Sequence, residues 1–459
     1  MTQHDSSSAW RAPVAKAPLH ASVEISGSKS LSNRYLVLAA LSTTPTILEG
    51  LLLSRDTELM MKALRSLGVG IEQDFDTPTT VRLTPPASGH FTGNVSVFCG
   101  LAGTVMRFVP GLALFADGPV RFSGDEQASA RPMKPVLDGL EQLGAHVEYE
   151  GEVGRLPFTV VPPSTLAMAA QAQVSIDSSG SSQFISGLLL VASRLPRGLR
   201  LTHTGEKLPS MPHIAMTVAD VEAAGGSISS PDRGVWDVEP SSLDLAPVIV
   251  VEPDLSNAAP FLGAALLAGG SVSVPRWPEQ TTQPGALLPA ILEKFGAKVT
   301  VDADSSGRRT LTVTSDGHIR GLGDLDLSAA GEIAPSIAAL TIFADAPTSL
   351  VGIAHLRGHE TNRLRALVTE INRIGGSAQE LDDGIAVTPG TAENSEGTAG
   401  LHGARMETYA DHRMATFAAM IGLRVSGIDI VDVETTRKTL PDFVGMWSAM
   451  LAQHQDKRN

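Results

Sequence analysis

One cysteine, Cys99, is all the thiol chemistry in this chain of 459 residues. A single thiol forms no intrachain disulfide and cannot build a cysteine-based zinc cluster. Aromatic residues make up only 4% of the chain, so its cores must be filled by Leu, Ile, Val, Ala and Met. Long apolar runs are missing too. The longest low-polarity stretch, roughly Ala258 to Gly270, falls short of the about 20 residues that a bilayer-spanning helix needs. The opening MTQHDSSSAW has no basic region followed by an apolar core, so no secretory signal is expected. A surplus of positive charge is also lacking. The formal net charge of −14 argues against nucleic acid or an anionic membrane as a general partner. The phosphate-loop pattern G-x-x-x-x-G-K-[ST] is absent. These absences fit a cytoplasmic protein. They leave room for a small anionic substrate, because a binding site answers to its local charge.

What is present is a repeat. Segments LMMKALRSLGVGI at 59–71, VLDGLEQLGAHV at 136–147, MTVADVEAAGGSI at 216–228, LLPAILEKFGAKV at 287–299 and LRALVTEINRIGGSA at 364–378 look alike. Each reads as an amphipathic helix, then a glycine, then a strand. Glycine suits the residue after a helix because it takes positive φ without a Cβ penalty. The matched Gly68, Gly144, Gly225, Gly296 and Gly375 are 71 to 81 residues apart. That spacing suits a compact βα unit rather than a short solenoid repeat, and Met414 to Val433 supplies a helix and strand for a sixth. Two domains of three units fit the length, with a boundary near Glu252 to Asn257. The strand in PLHASVEI is expected to join the C-terminal half. The expected division is therefore 1–28 plus 254–447, then 29–253, with 448–459 a frayed tail. Residues 389–397 read as a surface loop.

Cations and hydroxyls recur at helix starts. GSKSLSNR, Gly27 to Arg34, sets Lys29, Ser30 and Arg34 before an apolar run. Free N–H groups there attract anions, and Arg34 can hold two oxygens at once; the bland alternative is an N-cap serine with surface cations. CGLAGTVMRF places Gly100 and Gly103 where backbone can approach a ligand or simply turn, with Arg107 either structural or lining a site. GDEQASARPM reads as a loop in which Pro132 keeps Arg131 extended. DSSGSSQFISGLLL presents Ser181, Ser182 and Gln183 as phosphate or sugar ligands, or as a plain serine-rich cap. Glu332 precedes an apolar helix, as a cap or a base. HLRGHETNRLRAL gathers His355, Arg357, His359, Glu360, Arg363 and Arg365. Gly358 interrupts any helical pairing of its histidines, which favours an oxyanion site over a metal. YADHRMATFAAM sets Asp411, His412 and Arg413 at another helix start, with Asp411 placed to orient the imidazole. TTRKTLPDF adds Arg437 and Lys438.

In this order GSKSLSNR, AGTVMR, SSQF, RGHETNRL, DHRMA and RKTLPDF resemble the enolpyruvyl transferases, from about Leu19 to Trp447. The closest resemblance is to the branch acting on shikimate 3-phosphate, in its actinobacterial form. It implies an α/β fold, an inside-out barrel of two domains. Each domain would hold three βαβαββ-type units, with the substrates in the cleft between them. It implies transfer of enolpyruvyl from phosphoenolpyruvate to the substrate 5-hydroxyl by a monomer, with no cofactor and no metal. Carried over by motif, Lys29, Ser30, Arg34, Ser181, Ser182, Gln183, Ser210, Glu332 and His359 would meet shikimate 3-phosphate. Lys29, Gly103, Gln183, Arg363, Arg413 and Lys438 would meet phosphoenolpyruvate. Glu332 would accept the hydroxyl proton, with Lys29 and His412 assisting proton transfer.

Four departures stand out. Leu101 replaces an asparagine before Ala102-Gly103-Thr104. Glu332 replaces the commoner aspartate. His355 and His359 replace asparagine and lysine, and His359 is expected to be held protonated by the 3-phosphate or Glu332. Gln127 stands where many members have an arginine, so Arg131 must turn inward or that phosphoenolpyruvate contact is lost. The sister enzyme that uses UDP-N-acetylglucosamine is the nearest alternative, but it carries a cysteine in the loop that here reads GDEQASARP. A binding protein on the same fold is the other, and it would have no need of Lys29, Glu332 and His412 together.

Overall fold

The computed structural model describes residues 9–166, 169–208, 210–358, 360–390 and 400–453. His359, most of the 389–397 segment and residues 454–459 lie outside the described residues. The chain forms two compact units, one of residues 27–252 and one of residues 1–26 and 253–459. Each encloses its own core of aliphatic side chains.

Within 27–252 a single pattern recurs. Strand Val95–Phe98 leads into helix Gly103–Leu112, strand Val120–Ser123, helix Lys134–Gln142 and the strands His146–Tyr149 and Phe158–Val161. The first two strands pair parallel and the rest antiparallel, giving βαβαββ. The same order runs through Ala172–Ile176, Gln183–Ala192, Leu199–His203, Met211–Ala223, Ser227–Ser229 and Val235–Glu239. The first repeat, opening with helix Lys29–Leu41, takes its edge strand from Val248–Val250, which runs parallel to Thr46–Glu49.

The other unit borrows in the same way. Strand Leu19–Ser22 pairs parallel with Gly270–Pro275, so the N-terminal strand completes a repeat built around helix Leu255–Ala268. A complete repeat runs from Gly323–Asp326 to Ile385–Thr388. The last repeat contains the helix His412–Gly422 and the strand Asp429–Ile430. Among the described residues its sheet has three strands, with Arg405–Met406 parallel to Asp429–Ile430 and Trp10–Arg11 antiparallel to the latter. Beyond Ile430 the chain turns through Asp432, at φ +52°, into a 3-10 helix instead of a closing hairpin. The final helix, Phe443–Ala452, runs past residue 447. Trp447 is buried against Phe261 and Phe443, at 5.4 Å from each ring, and Met450 is buried, so residues 448–452 are anchored rather than frayed.

The two helices of each repeat differ for a reason visible in their residues. Helix Gly103–Leu112 is buried from Thr104 through Leu112, and Leu255–Ala268 from Leu255 through Leu267. Helices without a polar face belong inside. Second helices such as Arg55–Ser66 and Arg363–Arg373 carry charges on one side and cover the sheets. They end as expected, with Gly68, Gly144, Gly225, Gly296 and Gly375 all between φ +86° and +106°. Lys29, Gly103, Ser182, Gln183, Glu332 and Arg413 sit at or just before the starts of the buried helices, where unsatisfied N–H groups and the helix dipole favour anions, whereas Ser210 and Arg363 stand at the starts of second helices.

Candidate active site

In the 27–252 unit, Ser28 caps helix Lys29–Leu41 by accepting from the Leu31 N–H. This puts Lys29 in the first turn, with Nζ 3.6 Å from Asp56. Arg34 is nearly sealed, its side chain 3% exposed. Its Nε donates to Thr217 Oγ1 at 2.8 Å, Nη1 to the Ser30 carbonyl at 3.0 Å and Nη2 to the His213 carbonyl at 2.9 Å. A guanidinium has five N–H groups, so one remains on each terminal nitrogen. Burial lowers its pKa to about 10.

Gly103 opens the next buried helix. A Cβ there would lie 2.8 Å from Arg131 Nη2 and 3.1 Å from Gln183 Oε1, so a larger residue would push these two side-chain ends back. Arg131 turns inward, its Nη1 donating to the Leu101 carbonyl at 2.8 Å. The loop reading of GDEQASARPM is corrected in part, since Glu126–Ala130 forms a 3-10 turn that swings Arg131 over. Arg107 donates to Gln183 Oε1 at 2.7 Å and lies 5.0 Å over the Phe184 ring. Burial, with the Arg131 charge behind it, lowers the Arg107 pKa to about 9. Ser182 occupies the N-cap position of helix Gln183–Ala192 but makes no capping bond, while Ser181 Oγ accepts from the Gln183 N–H at 3.3 Å. Ser210 is held at φ +53° before helix Met211–Ala223, a strained conformation for a residue with a Cβ.

In the other unit the charges interlock. Glu332 lies in the 3-10 turn Gly331–Ile333, accepting from Arg363 Nη1 at 3.1 Å and lying 3.8 Å from Arg413 Nε. Arg363 is buried and meets three carboxylates. Asp411 accepts from Nε at 2.7 Å, Glu360 from Nη2 at 3.0 Å, and Glu332 completes the set. Burial opposes its charge, but Glu332, Asp411 and Glu360 together outweigh that and hold it protonated. Glu360 also pairs with Lys438. Arg413 Nη1 donates to the Ser256 carbonyl at 2.8 Å and to Asn257 at 3.2 Å. These three cations and three carboxylates balance formally.

One expectation about DHRMA is corrected. Asp411 does not orient the imidazole. It faces Arg363 and caps the helix by accepting from the Arg413 N–H, and its nearest approach to His412 Nδ1 is 3.6 Å. Burial first, then the Arg413 charge, drives the His412 pKa well below its ordinary value. The ring is therefore neutral and a poor acid. Among the described residues, no group of three or more His, Cys, Asp or Glu could hold a metal ion, and no helix is long and apolar enough to cross a membrane.

The EPSP synthase (3-phosphoshikimate 1-carboxyvinyltransferase) family model matches residues 14–447. The chain belongs to this family. A Bifidobacterium longum protein named 3-phosphoshikimate 1-carboxyvinyltransferase is 67% identical over 97% of this chain and 98% of its own length. One of the same name from Kocuria rhizophila is 46% identical, over 98% of each. A solved EPSP synthase from Acinetobacter baumannii matches with a TM-score of 0.78 at 23% identity. It covers 95% of this chain and 97% of that one, a likeness of fold. Against the EPSP synthase motifs, the structure gathers Gly103, Arg131 and Gln183 in one unit, and Glu332, Arg363, Arg413 and Lys438 in the other. It adds Arg107, Glu360 and Asp411 as partners of those side chains.

Proposed function

We propose that the chain transfers the enolpyruvyl group of phosphoenolpyruvate to the 5-hydroxyl of shikimate 3-phosphate. The products are 5-enolpyruvylshikimate 3-phosphate and phosphate, on the route to chorismate and the aromatic amino acids. The observation that carries the reading is Glu332, a carboxylate 27% exposed and held by Arg363 and Arg413 at the start of a buried helix. A carboxylate among cationic groups supports the reading of Glu332 as the base, in a chain two-thirds identical to a protein bearing that activity's name.

In this reading Ser181, Ser182 and Ser210 take the 3-phosphate, Gln183 reaches between the two substrates, and Ser30 and Arg34 hold the shikimate moiety, including its carboxylate. Lys29, Gly103, Arg131, Gln183, Arg363, Arg413 and Lys438 take phosphoenolpyruvate. His359 remains assigned to the 3-phosphate through its motif alone. The substrate oxygen adds to C2 as Glu332 accepts the hydroxyl proton and C3 gains one. Loss of phosphate from C2 and of a proton from C3 then restores the double bond. The two substrates together bring two phosphates and two carboxylates, whose mutual repulsion the cations offset. His412, neutral, can only accept and pass on a proton. No cofactor enters, and the protein acts as a cytoplasmic monomer. The UDP-N-acetylglucosamine reading is disfavoured by the family match and by the cysteine-free loop at 124–133.

Purified protein should release phosphate from phosphoenolpyruvate only when shikimate 3-phosphate is present, with the enol ether product visible by NMR. Release that is absent, or that needs UDP-N-acetylglucosamine instead, overturns the assignment.

A further inference from the structure

Behind Arg34 lies a carboxylate that the reaction does not use. Asp220, on helix Met211–Ala223, is 5% exposed, and its Oδ2 has no hydrogen-bond partner. That oxygen lies 4.0 Å from Arg34 Nε. The hydrogen-bond acceptors on Arg34 are neutral: Thr217 Oγ1 and the carbonyls of Ser30 and His213. Among the described residues Asp220 is the one carboxylate within ion-pair distance of it. The charged and titratable groups acting on Asp220 are Arg34 and Tyr35, both on helix Lys29–Leu41, and Glu252, beyond strand Val248–Val250. Helix Gln183–Ala192, packed against the same helix, offers the Ser186 hydroxyl, which accepts from Thr217 Oγ1 at 2.9 Å.

We propose that Asp220 is a positioning residue that sets the charge Arg34 offers to a ligand, so that binding of the shikimate carboxylate draws a proton into the protein. The inference rests on the reading of Arg34 as the group that meets that carboxylate. A buried Arg–Asp pair is formally neutral, and a third charge brought to it must face whichever member remains ionised. With Asp220 ionised, the ligand carboxylate meets a cancelled cation. With Asp220 protonated, it meets a full positive charge in a low-dielectric setting. Burial first, countered by Arg34, reinforced by Glu252 and offset in part by a hydrogen bond with Tyr35, raises Asp220 to about 7. The two states therefore exchange near neutrality. An incoming carboxylate raises Asp220 further, so binding takes up a proton and weakens as pH rises. A one-unit further rise would make the affinity roughly fivefold weaker at about pH 8 than at about pH 6.

The test uses the full-length protein and shikimate, whose single carboxylate stays ionised across this range and which lacks a titrating phosphate. Isothermal titration in two buffers of different ionisation heat reads proton uptake directly. The wild type should take up a fraction of a proton at about pH 7.5, and its dissociation constant should climb about fivefold between the two pH values. Asp220→Asn should abolish the uptake and bind at about pH 8 as tightly as the wild type does at about pH 6. Wild-type binding without proton uptake, or the same slope in Asp220→Asn, overturns the proposal. The wild-type measurement stands even if the variant fails to fold. Shikimate and shikimate 3-phosphate both failing to bind at any pH overturns the substrate reading, and the proposal with it.

Discussion

Glu332→Gln is expected to lower kcat by about 10²–10⁴-fold, the usual contribution of a positioned proton acceptor. The phosphoenolpyruvate KM should stay the same or fall. The side chain keeps its length and an oxygen that can accept from Arg363 Nη1, which now approaches at 3.1 Å. Asp411 and Glu360 still face Arg363, so the fold is retained. What goes is the basic oxygen, together with one negative charge opposing anionic substrates beside Arg363 and Arg413. A general base predicts lost turnover with binding intact. A mere counter-ion predicts tighter phosphoenolpyruvate binding with kcat within about threefold of wild type. Steady-state kinetics with both substrates varied separate the two, and the second pattern would remove Glu332 from the chemistry.

Arg363→Met is expected to abolish turnover and to destabilise the unit formed by 1–26 and 253–459 by about 3–5 kcal/mol, the range for breaking a buried ion pair from one side. Asp411 is fully buried and would lose the two donors that Arg363 gives it, at 2.7 and 3.3 Å. Glu332 would lose the Arg363 contact while Arg413 stays beside it, and Glu360 would lose the same contact while Lys438 stays beside it. Asp411→Asn in the Arg363→Met background removes the stranded charge and keeps the oxygen that caps the Arg413 N–H. The double variant should regain much of the stability and none of the activity. Because the chain has two compact units, denaturation is followed with a probe in the affected one. If the single variant unfolds like the wild type, Arg363 does not hold these carboxylates together.

Local chemistry made the helix starts legible. Ser28 before Lys29, Asp411 before His412 and Asn362 before Arg363 all cap where their side chains suggest. The glycines after the second helices were legible too, since a left-handed turn leaves few choices. What stayed hidden was whatever depends on chain segments meeting. Arg34 reaches Thr217 across 183 residues, and Arg107 holds Gln183 across 76. Arg363 pairs with Asp411 across 48 and with Glu332 across 31. Asp411 was misread because its nearest charged neighbour in sequence is His412, whereas in the fold the guanidinium of Arg363 offers a stronger, bidentate partner. The borrowed strands Trp10–Arg11 and Val248–Val250 are too short to carry a pattern of their own, and only their pairing partners explain them.

The proposal tested most directly is that Lys29 and Lys438 both serve phosphoenolpyruvate binding. Lys29 in one unit and Lys438 in the other are each partly exposed, so Lys29→Met and Lys438→Met should leave the fold unchanged. Phosphoenolpyruvate affinity in the presence of saturating shikimate 3-phosphate is the direct measurement. Both variants are expected to weaken it by at least about tenfold, the effect of roughly 1.4 kcal/mol lost from one charge-assisted contact. Wild-type affinity in either variant would mean that one set of cations serves another ligand, and the account would fail.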